Sequence, residues 1–437
     1  MSATIIELND ATVRVARGVE PLFQSPGYAA MGGGVLEVGA AGYAQHWLTP
    51  RHASNRFWHD LNTAPLQQFG KRVRHAGDLA FVHLEHVREC AGRPSAAIFV
   101  VPGFYQRAQL SLLLGIAQAA GISVQALVDS ATAAGATLPP GTYAHVEATL
   151  HQCVLSRLEV DQDRALRRQV EVVGNTGLTH FRQRMVSCVV DAFLTRCRFD
   201  PLHDAATEQL LHNHLNEWLA LLADRPEITI AIEHRGARHE TRLHRDTLSA
   251  ATAPLVQQLA SRVGDARAVL DYRLGVIPGI LHGWRDAQLL TDTAVLVGCA
   301  QNPALKSHNA NTSVALRTEL PVVSADSRIA LTPSATNNAT ASAASHLLAQ
   351  HVAYPIARQT LYVAPHGAVS RTRGIDSVCA VRSDDTGTRL DVIGSTTVLL
   401  NGRVVAGTAR LTPGDHITIP GATSLFVPIT VHANDAI

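Results

Sequence analysis

Two groups of residues in the chain have the types that bind metal ions. His83, His86 and Cys90 stand at positions i, i+3 and i+7 of HLEHVREC, so a helix would carry them on one face. Imidazole and thiolate groups bind zinc, but no matching fourth ligand is visible, and we interpret the three residues as parts of a packed helix. His212 and His214 lie two apart on a predicted helix, so they face different ways. We therefore predict no metal site.

Two further motifs match functional sequences only in part. His244-Arg245-Asp246 has the letters of a kinase catalytic loop, but no glycine-rich phosphate loop or magnesium-binding aspartate accompanies it. The glycines at 32–34 lack the spacing of a dinucleotide-binding fingerprint, and no long helix follows them. We interpret 32–34 as the turn of a β-hairpin.

The segment Ala96–Gly135 bears on whether the chain is an enzyme. It reads as a buried strand, a turn at Pro102, a helix that Gly121 ends, and a second strand. Ligands and catalytic groups commonly lie where such a strand ends. The residue that follows this strand is Ser130, which is small and neutral, where a catalytic carboxylate could stand.

Composition bounds the class of protein. The chain has 437 residues, 46% of them hydrophobic, which suggests several domains with sizeable cores. Its net charge of +1 comes without a basic stripe, so we predict no nucleic-acid partner. The N-terminus lacks a signal-peptide pattern and no apolar run reaches the ~18 residues of a membrane span, so we expect a cytoplasmic protein with no membrane span. The six cysteines form no CxxC pair and are expected to be reduced.

The hydrophobic pattern predicts a mixed α/β chain up to about residue 345. A polar turn at Asn9-Asp10 joins two short strands within 4–16, and Asp246 is expected to cap a helix that starts at residue 247. Residues 293–298, TAVLVG, read as a buried strand that ends in glycine. The other predicted elements are helices at 78–91 and 204–222, a helix marked by Phe181, Met185, Cys188 and Ala192, a hairpin about Arg235-Gly236, and a short helix with loops over 301–345.

The segment Ala96–Gly135 resembles the strand–VPAYF–helix–AG–strand–NEPTAA segment of the DnaK-type heat-shock (Hsp70-like) chaperones, members of the actin-like ATPase superfamily. Three other stretches are similar to that family, namely 36–61 to its GxxAxxxxxxNPxNTxFxxKRL stretch, 228–248 to its hairpin-and-helix subdomain, and 293–305 to its VVLVGGSTRIP adenosine loop.

The resemblance covers residues 3–345 and implies the fold of that part. It implies two ribonuclease-H-like α/β lobes of actin or DnaK type, 1–150 and 151–345, with a cleft between them. The second lobe would include a hairpin–helix subdomain at 226–265. We predict a separate, small all-β sandwich over 346–437, because short alternating strands replace helices from about residue 361.

The resemblance also implies which residues line the nucleotide cleft. The family's first phosphate turn, IDLGTT, aligns with IELNDA, so Asn9 replaces a glycine and Asp10 a threonine. A carboxylate there would repel a triphosphate, since two unit charges ~4 Å apart cost about 4 kcal/mol at an intermediate dielectric constant. The remaining vestigial cleft positions are Ser130 and Thr132 within the NEPTAA segment, Gly174, Asn175, Thr176 and Gly177 within the DLGGGT turn, and Gly298 within the adenosine loop.

These replacements remove the carboxylates that would orient magnesium and the attacking water, so the resemblance implies a degenerate ATPase with no bound cofactor. We expect a DnaK-like pseudo-ATPase that acts as a protein-binding scaffold or chaperone-like adaptor. One alternative is an ATP-dependent chaperone or actin-like ATPase that uses ATP with magnesium through atypical phosphate loops. A filament-forming actin-like protein is another, which concentration-dependent polymerisation would distinguish.

The C-terminal region resembles the second half of a forkhead-associated (FHA) domain, with its STNGTxxNG…LxxGDxI pattern. The residues that carry the match are Ser395, Asn401, Gly402, Leu411, Gly414, Asp415 and Ile417. Residues 369–373, VSRTR, only partly match the phosphothreonine-reading Ser-Arg-x-His, and no Gly-Arg precedes them. In the simpler interpretation, Asn401-Gly402 is a hairpin turn without a binding role.

Overall fold

The chain forms two compact units, residues 1–333 and 334–437. A computed structural model describes residues 2–67, 69, 73–281, 284, 287–305 and 314–323 of the first, and 346–349, 352–356, 360–365, 368–374, 377–384, 387–393, 397–400, 403–405, 407–411, 415, 417–419 and 425–429 of the second. Within these residues the first unit is mixed α/β with eight α-helices and the second is all-β. The predicted α/β class and all-β C-terminal region are therefore confirmed.

The first unit contains all the described helices and most of the strands. The helices are α1 (Ala40–Gln45), α2 (Ala76–Cys90), α3 (Arg107–Ala119), α4 (Ser130–Gly135), α5 (Leu178–Cys197), α6 (Ala205–Asp224), α7 (Arg245–Val263) and α8 (Ala294–Ala300). The strands are β1 (Thr4–Glu7), β2 (Val13–Arg17), β3 (Glu20–Ser25), β4 (Ala29–Gly32), β5 (Val35–Val38), β6 (Ala53–Ser54), β7 (Ala96–Val101), β8 (Ser123–Asp129), β9 (Gly141–Ala148), β10 (Gln152–Val160), β11 (Arg164–Gly174), β12 (Glu227–His234), β13 (Ala237–His244), β14 (Arg267–Leu270), β15 (Gln288–Leu289), β16 (Leu316–Arg317) and β17 (Glu319–Pro321).

Two six-stranded sheets in the first unit share the order of five of their strands. The first runs β16-β8-β7-β1-β2-β3 and the second β15-β14-β9-β10-β11-β17, so the sixth strand lies at opposite edges. In each, three consecutive strands form an antiparallel meander, one later strand pairs in parallel with its first strand, and a second later strand pairs in parallel with that one. By position, β1 therefore corresponds to β9, β2 to β10 and β7 to β14. The β1–β2 turn consequently corresponds to the β9–β10 turn.

The buried strands explain why the sheets form where they do. Strand β7 is buried along its length apart from its first residue, as expected for a central parallel strand that is covered on both faces. Helices α2 and α3 pack on one face of the first sheet through Leu79, Leu84 and Leu113. Helices α5 and α7 cover the second sheet, with Phe181 in its core. The predicted helices at 78–91 and about Phe181 are therefore confirmed.

The predicted hairpins are confirmed, each with the backbone that its turn requires. Strands β1 and β2 pair antiparallel around Asn9-Asp10, and β4 and β5 pair around Gly33-Gly34. Strands β12 and β13 pair around Arg235 and Gly236, whose φ angles are 50° and 78°. Two successive positive φ values are those of a type I′ turn, which glycine favours.

Two sequence-based predictions of local structure were wrong, and a third, a short helix with loops over 301–345, missed the strands β16 and β17. Residues 293–298 form most of the helix α8 rather than a strand, and Gly298 lies within it. Both α8 and its neighbour α4 are almost wholly buried, so the apolar run has no helical period to reveal it. Asp246 does not cap α7, because that helix begins two residues earlier than predicted and His244 is the N-cap. Asp246 instead lies in the first turn, where a negative charge favours the helix dipole.

The second unit packs two sheets on one core. Its strands are β18 (His346–Ala349), β19 (Val352–Pro355), β20 (Thr360–Val363), β21 (Val369–Ser370), β22 (Cys379–Asp384), β23 (Gly387–Val392), β24 (Leu399–Leu400), β25 (Arg403–Val404), β26 (Thr408–Leu411), β27 (Ile417–Thr418) and β28 (Leu425–Ile429). The sheets run β19-β18-β28-β27-β24-β25 and β21-β20-β22-β23-β26. Leu347 and Phe426 of one sheet and Leu361 and Val381 of the other belong to one buried cluster.

Candidate functional site

The two corresponding turns, β1–β2 and β9–β10, meet between the two sheets. The Nδ2 group of Asn9 donates hydrogen bonds to the backbone oxygen of Ala148 at 3.0 Å and to Oε1 of Glu147 at 3.3 Å. The backbone N–H of Leu150 donates to Oδ1 of Asp10 at 2.7 Å. The first turn thus binds directly to the second through residues that are all buried.

Each turn is covered by a glycine. A Cβ at Gly27 would overlap the backbone of Asp10, and one at Gly177 would overlap the backbone from Leu150 to Gln152. Glycine permits this close approach because it has no side chain. In each meander, the segment that follows the third strand therefore packs against the turn between the first two strands.

A buried ion-pair network lies beside the turns. Glu7, at the end of β1, accepts a hydrogen bond from Nε of Arg14 at 2.9 Å and one from Nη2 of Arg273 at 2.9 Å. Burial alone would raise the pKa of Glu7, but the charges of Arg273 and Arg14 lower it below its usual value. Arg273 follows β14 of the second sheet, so the ion pair with Glu7 joins the two sheets.

Asp271 and Tyr272 complete this network. Nη1 of Arg273 lies 3.1 Å from Oδ2 of Asp271, which also accepts a hydrogen bond from the backbone of Ala148 at 3.3 Å. Two guanidinium groups lie near the Tyr272 ring, with the Cζ of Arg14 4.9 Å and that of Arg273 4.5 Å from its centroid. Arg273 therefore has two carboxylates and an aromatic ring as partners.

Glu147 lies in a different electrostatic environment. Its Oε2 accepts a hydrogen bond from the hydroxyl of Ser130 at 2.5 Å. Burial, followed by the nearby charge of Asp271, raises the pKa of Glu147 to about 8. Burial also raises the pKa of Asp10 to about 7, and its Oδ2 has no hydrogen-bond partner among the described residues. The surroundings of Glu147 therefore favour its protonated form.

Little space remains in this region. Its cavity holds about 10 Å³, which is room for one water molecule. The residues that line it are Glu7, Ser130, His145, Glu147, Asp271, Tyr272, Arg273, Leu290, Thr291, Ala294 and Val295. Small-molecule sites commonly enclose 300 Å³ or more, at least about thirty times this volume.

The structure brings together only three of the residues that the sequence singled out. Asn9, Asp10 and Ser130 lie in the network just described. Thr132 is buried nearby but bonds to Asp129, the N-cap of α4. Gly298 packs against the backbone of Ala133, where α8 meets α4.

Residues 174–177 do not form the turn that corresponds to β1–β2. Gly174 ends β11, the third strand of its meander, and Gly177 is the N-cap of α5. Asn175 has a positive φ of 59°, and Thr176 accepts from the backbone of Cys153 at 3.2 Å. The corresponding turn is Thr149–His151, because it joins the first two strands of the second sheet.

Sequence reasoning missed Glu147, Asp271 and Arg273. One signal could have revealed Glu147, since VEATL spans the end of β9 as IELND spans the end of β1, with a glutamate second in each. An internal comparison of the two halves would have aligned these segments. Arg273 gave no such signal, because its importance arises from contacts with residues far away in the sequence.

The histidine and cysteine residues weighed as metal ligands do not converge. His83 is buried, with its ring nitrogens bonded to the Trp58 indole at 2.9 Å and the Ser25 hydroxyl at 2.8 Å. Cys90 is exposed and lies 4.0 Å from the His86 ring. Among the residues that the structure describes, no group of three His, Cys, Asp or Glu side chains could hold a metal ion.

The residues of the FHA-like match are only partly described. Leu411 and Ile417 are buried in the core of the second unit, and the segment 370–373 is exposed. Strands β24 and β25 pair antiparallel on either side of residues 401–402. Four matched residues lie outside the described part of the chain, namely Ser395, Asn401, Gly402 and Gly414.

No protein-family model matches the chain, and no curated protein matches it significantly. In the described part of the chain, no helix is both long and apolar enough to cross a membrane.

Proposed function

We propose that the chain is a DnaK-like pseudo-ATPase of the actin-like superfamily that acts as a protein-binding scaffold or chaperone-like adaptor. The observation that carries this proposal is the buried network of Glu7, Arg14, Asp271 and Arg273, which occupies the space between the two sheets. The shared strand order of the sheets supports two ribonuclease-H-like lobes. The interlobe region would then correspond to the nucleotide cleft.

The topology changes which residues correspond to the family's motifs. The DLGGGT turn corresponds to Glu147–Gln152, so Thr149, Leu150 and His151 replace its three glycines. The VVLVGGSTRIP loop corresponds to Ala268–Pro278, because β14 rather than α8 supplies the strand. In this alignment its two glycines become Tyr272 and Arg273, and the ending Ile-Pro is kept.

These replacements argue against nucleotide binding on grounds of space and charge. Glycine-rich turns let the backbone N–H groups approach phosphates closely, and longer side chains prevent this. Arg273 stands at a position that the family keeps open, and its cation is already neutralised by Glu7 and Asp271. A nucleotide would have to displace these buried ion pairs in order to bind.

The carboxylates also differ from those of a magnesium site. Glu7 is held by two arginines, and burial of Glu147 favours its protonated form. A divalent cation would need both as anions, with water in its remaining coordination positions. The cavity has room for only one water molecule.

Calorimetric titration of the full chain with ATP and magnesium tests the proposal. We expect no saturable binding at millimolar ATP and no hydrolysis above background. Micromolar affinity in the wild type, abolished by Asn9→Asp but retained in Asn213→Asp, would overturn it and favour an ATPase with atypical loops. The first change adds a negative charge in the β1–β2 turn, and the control makes the same change at an exposed residue of α6.

The scaffold role makes a separate prediction about partners. A protein captured by this chain should be retained with equal affinity in the presence and absence of ATP and magnesium. Release of the partner by ATP would indicate an ATP-dependent chaperone. Concentration-dependent sedimentation of the purified chain would favour a filament-forming actin-like protein.

A further inference from the structure

A second polar contact joins the first-sheet half of the unit to the second-sheet half, away from the strand-end turns. The hydroxyl of Tyr43 in α1 donates to the backbone oxygen of His212 in α6 at 2.9 Å. The side chain of Gln209 accepts from the backbone of Trp47 at 3.1 Å and donates to that of Tyr43 at 3.1 Å. We call this contact, formed by Tyr43, His46, Trp47, Gln209 and His212, the α1–α6 latch.

Two histidine rings lie inside the latch. His212 stacks on Trp47 with the ring centroids 3.7 Å apart and the planes within 10°. His46, which follows α1, packs edge-on against Trp47 and Tyr28, each at 4.9 Å. The Nδ1 atoms of His46 and His212 are buried and have no hydrogen-bond partner among the described residues. Both nitrogens of a protonated imidazole carry hydrogen, so protonation of either ring would leave a buried N–H at Nδ1 that no described group accepts.

The groups around the histidines also disfavour a positive charge. From α5, Arg182 donates to the Tyr43 hydroxyl at 3.1 Å, and its cation acts on His212. Tyr28 and Tyr43 contribute aromatic rings and Gln209 an uncharged amide, so none of these three residues brings a negative charge to the histidines. Burial, with the charges of Arg182 and His46, lowers the pKa of His212 to about 3, and burial lowers that of His46 to about 4.

We propose that the α1–α6 latch is a pH-responsive contact that holds α1 and α6 together at neutral pH and opens when His46 and His212 take up protons. The proposal stands on the geometry of the latch and does not depend on whether the chain binds nucleotide. It also gives the two halves of the unit a means to separate that needs no ATP.

The direction of the effect follows from the environments of the two rings. In an open latch both histidines would be hydrated and would titrate near their ordinary pKa of about 6.5. Because the closed latch lowers both values, its stability is fully present above pH 6.5 and is lost as the pH falls below it. Each histidine shifts the closed-to-open ratio about tenfold per pH unit, so the two together shift it about a hundredfold per unit between pH 6.5 and 4.

The test is acrylamide quenching of Trp47 in the full chain from pH 8 to 4.5. The Trp47 signal is the difference between wild type and Trp47→Phe, and far-UV circular dichroism confirms that the fold persists. His212→Phe keeps the stacked ring and the backbone acceptor but cannot be protonated. His214→Phe is the matched control, because it lies two residues away on α6 and its side chain is 44% exposed.

We expect Trp47 of the wild type and of His214→Phe to become accessible as the pH falls below 6.5. In His212→Phe the closed-to-open ratio should change by only about tenfold per pH unit, instead of about a hundredfold. Equal opening in His212→Phe and wild type, or no opening before the chain unfolds, would overturn the proposal. NMR titration of the ring carbons gives an independent measurement, since ordinary pKa values for both histidines in the folded chain would also overturn it.

Discussion

Glu7 and Glu147 occupy corresponding positions in two sheets that share the order of five strands, yet their pKa values are shifted in opposite directions. Glu7 has two guanidinium partners, which keep its pKa below the usual value despite burial. Glu147 has a hydroxyl and an amide as partners, and burial raises its pKa to about 8. The comparison shows that a repeated backbone position does not carry a repeated chemistry, because the charge is set by which side chains reach it from elsewhere.

The largest expected effect comes from removing the cation that distinguishes the two glutamates. Arg273→Met leaves Glu7 with only Arg14 and leaves Asp271 without its guanidinium partner. Breaking a buried ion pair from one side costs about 3–5 kcal/mol of the free energy of unfolding. Denaturant unfolding of the full chain measures this.

Arg242→Met is the control, since Arg242 is 72% exposed in a surface ion pair and should cost less than about 1 kcal/mol. The double variant Arg273→Met with Glu7→Gln should lose less than the sum of the single losses, because one uncompensated charge is removed. Strict additivity would show that the two side chains are not energetically coupled.

The second prediction concerns opposite pH dependences. The folded pKa of Glu147 is raised, so its contribution is present below pH 4.5 and is lost as the pH rises towards 8, by about 1.4 kcal/mol per pH unit. The folded pKa of Glu7 is lowered, so its contribution is present above pH 4.5 and is lost as the pH falls through the folded value.

Unfolding free energies of wild type, Glu147→Gln and Glu7→Gln from pH 4 to 8.5 separate these contributions. As the pH rises, the unfolding free energy of the wild type should fall relative to that of Glu147→Gln. Relative to that of Glu7→Gln, it should increase as the pH rises through 4.5. Parallel profiles for the two variants would mean that the glutamates share one protonation state.

The glycines behind the two turns give an intermediate effect. Gly177→Ala and Gly27→Ala each place a methyl group on the backbone of the turn that the glycine covers, and should each cost about 1–3 kcal/mol. Gly174→Ala is the matched control, because its Cβ would meet no atom within 4 Å. Thermal unfolding compares the three, and a tolerated Gly177→Ala would show that the second turn is less closely packed than the first.

The smallest effect is expected at Ser130. Ser130→Ala removes one hydrogen bond to Glu147 and should cost about 1 kcal/mol at pH 7. Thr132→Ala is the comparison, because it loses an equivalent bond to Asp129 instead. Only Ser130→Ala should also change how the unfolding free energy depends on pH near 8, where Glu147 titrates.

The sequence predicted local structure well where the hydrophobic period was clear. The hairpins about Asn9-Asp10 and Arg235-Gly236, and the segment from β7 to β8, all form as expected. The prediction of a strand at 293–298 was wrong because the apolar sequence of a helix buried on every side resembles that of a buried strand. The stretch expected to hold the adenosine loop, 293–305, therefore contains a helix instead of a strand.

The candidate site was less predictable than the fold. Asn9, Asp10 and Ser130 were singled out because they align with family motifs that lie next to strand ends. The motif GNTG at 174–177 was expected to be a phosphate turn, whereas in the structure it links the third strand of the meander, β11, to α5. The partnership of Glu7 with Arg273 joins residues separated by 266 positions, and no local pattern predicts it.

The segment Leu316–Pro321 has a consequence for how the first unit is assembled during synthesis. Strand β16 adds to β8 at the edge of the first sheet, and β17 adds to β11 at the edge of the second, with Thr318 between them. Neither sheet can therefore be completed until the chain has been made to Pro321, although β8 ends at Asp129. Until then both edges are unpaired, and unpaired strand edges are where nascent chains associate wrongly. One short stretch thus completes both sheets together, late in translation.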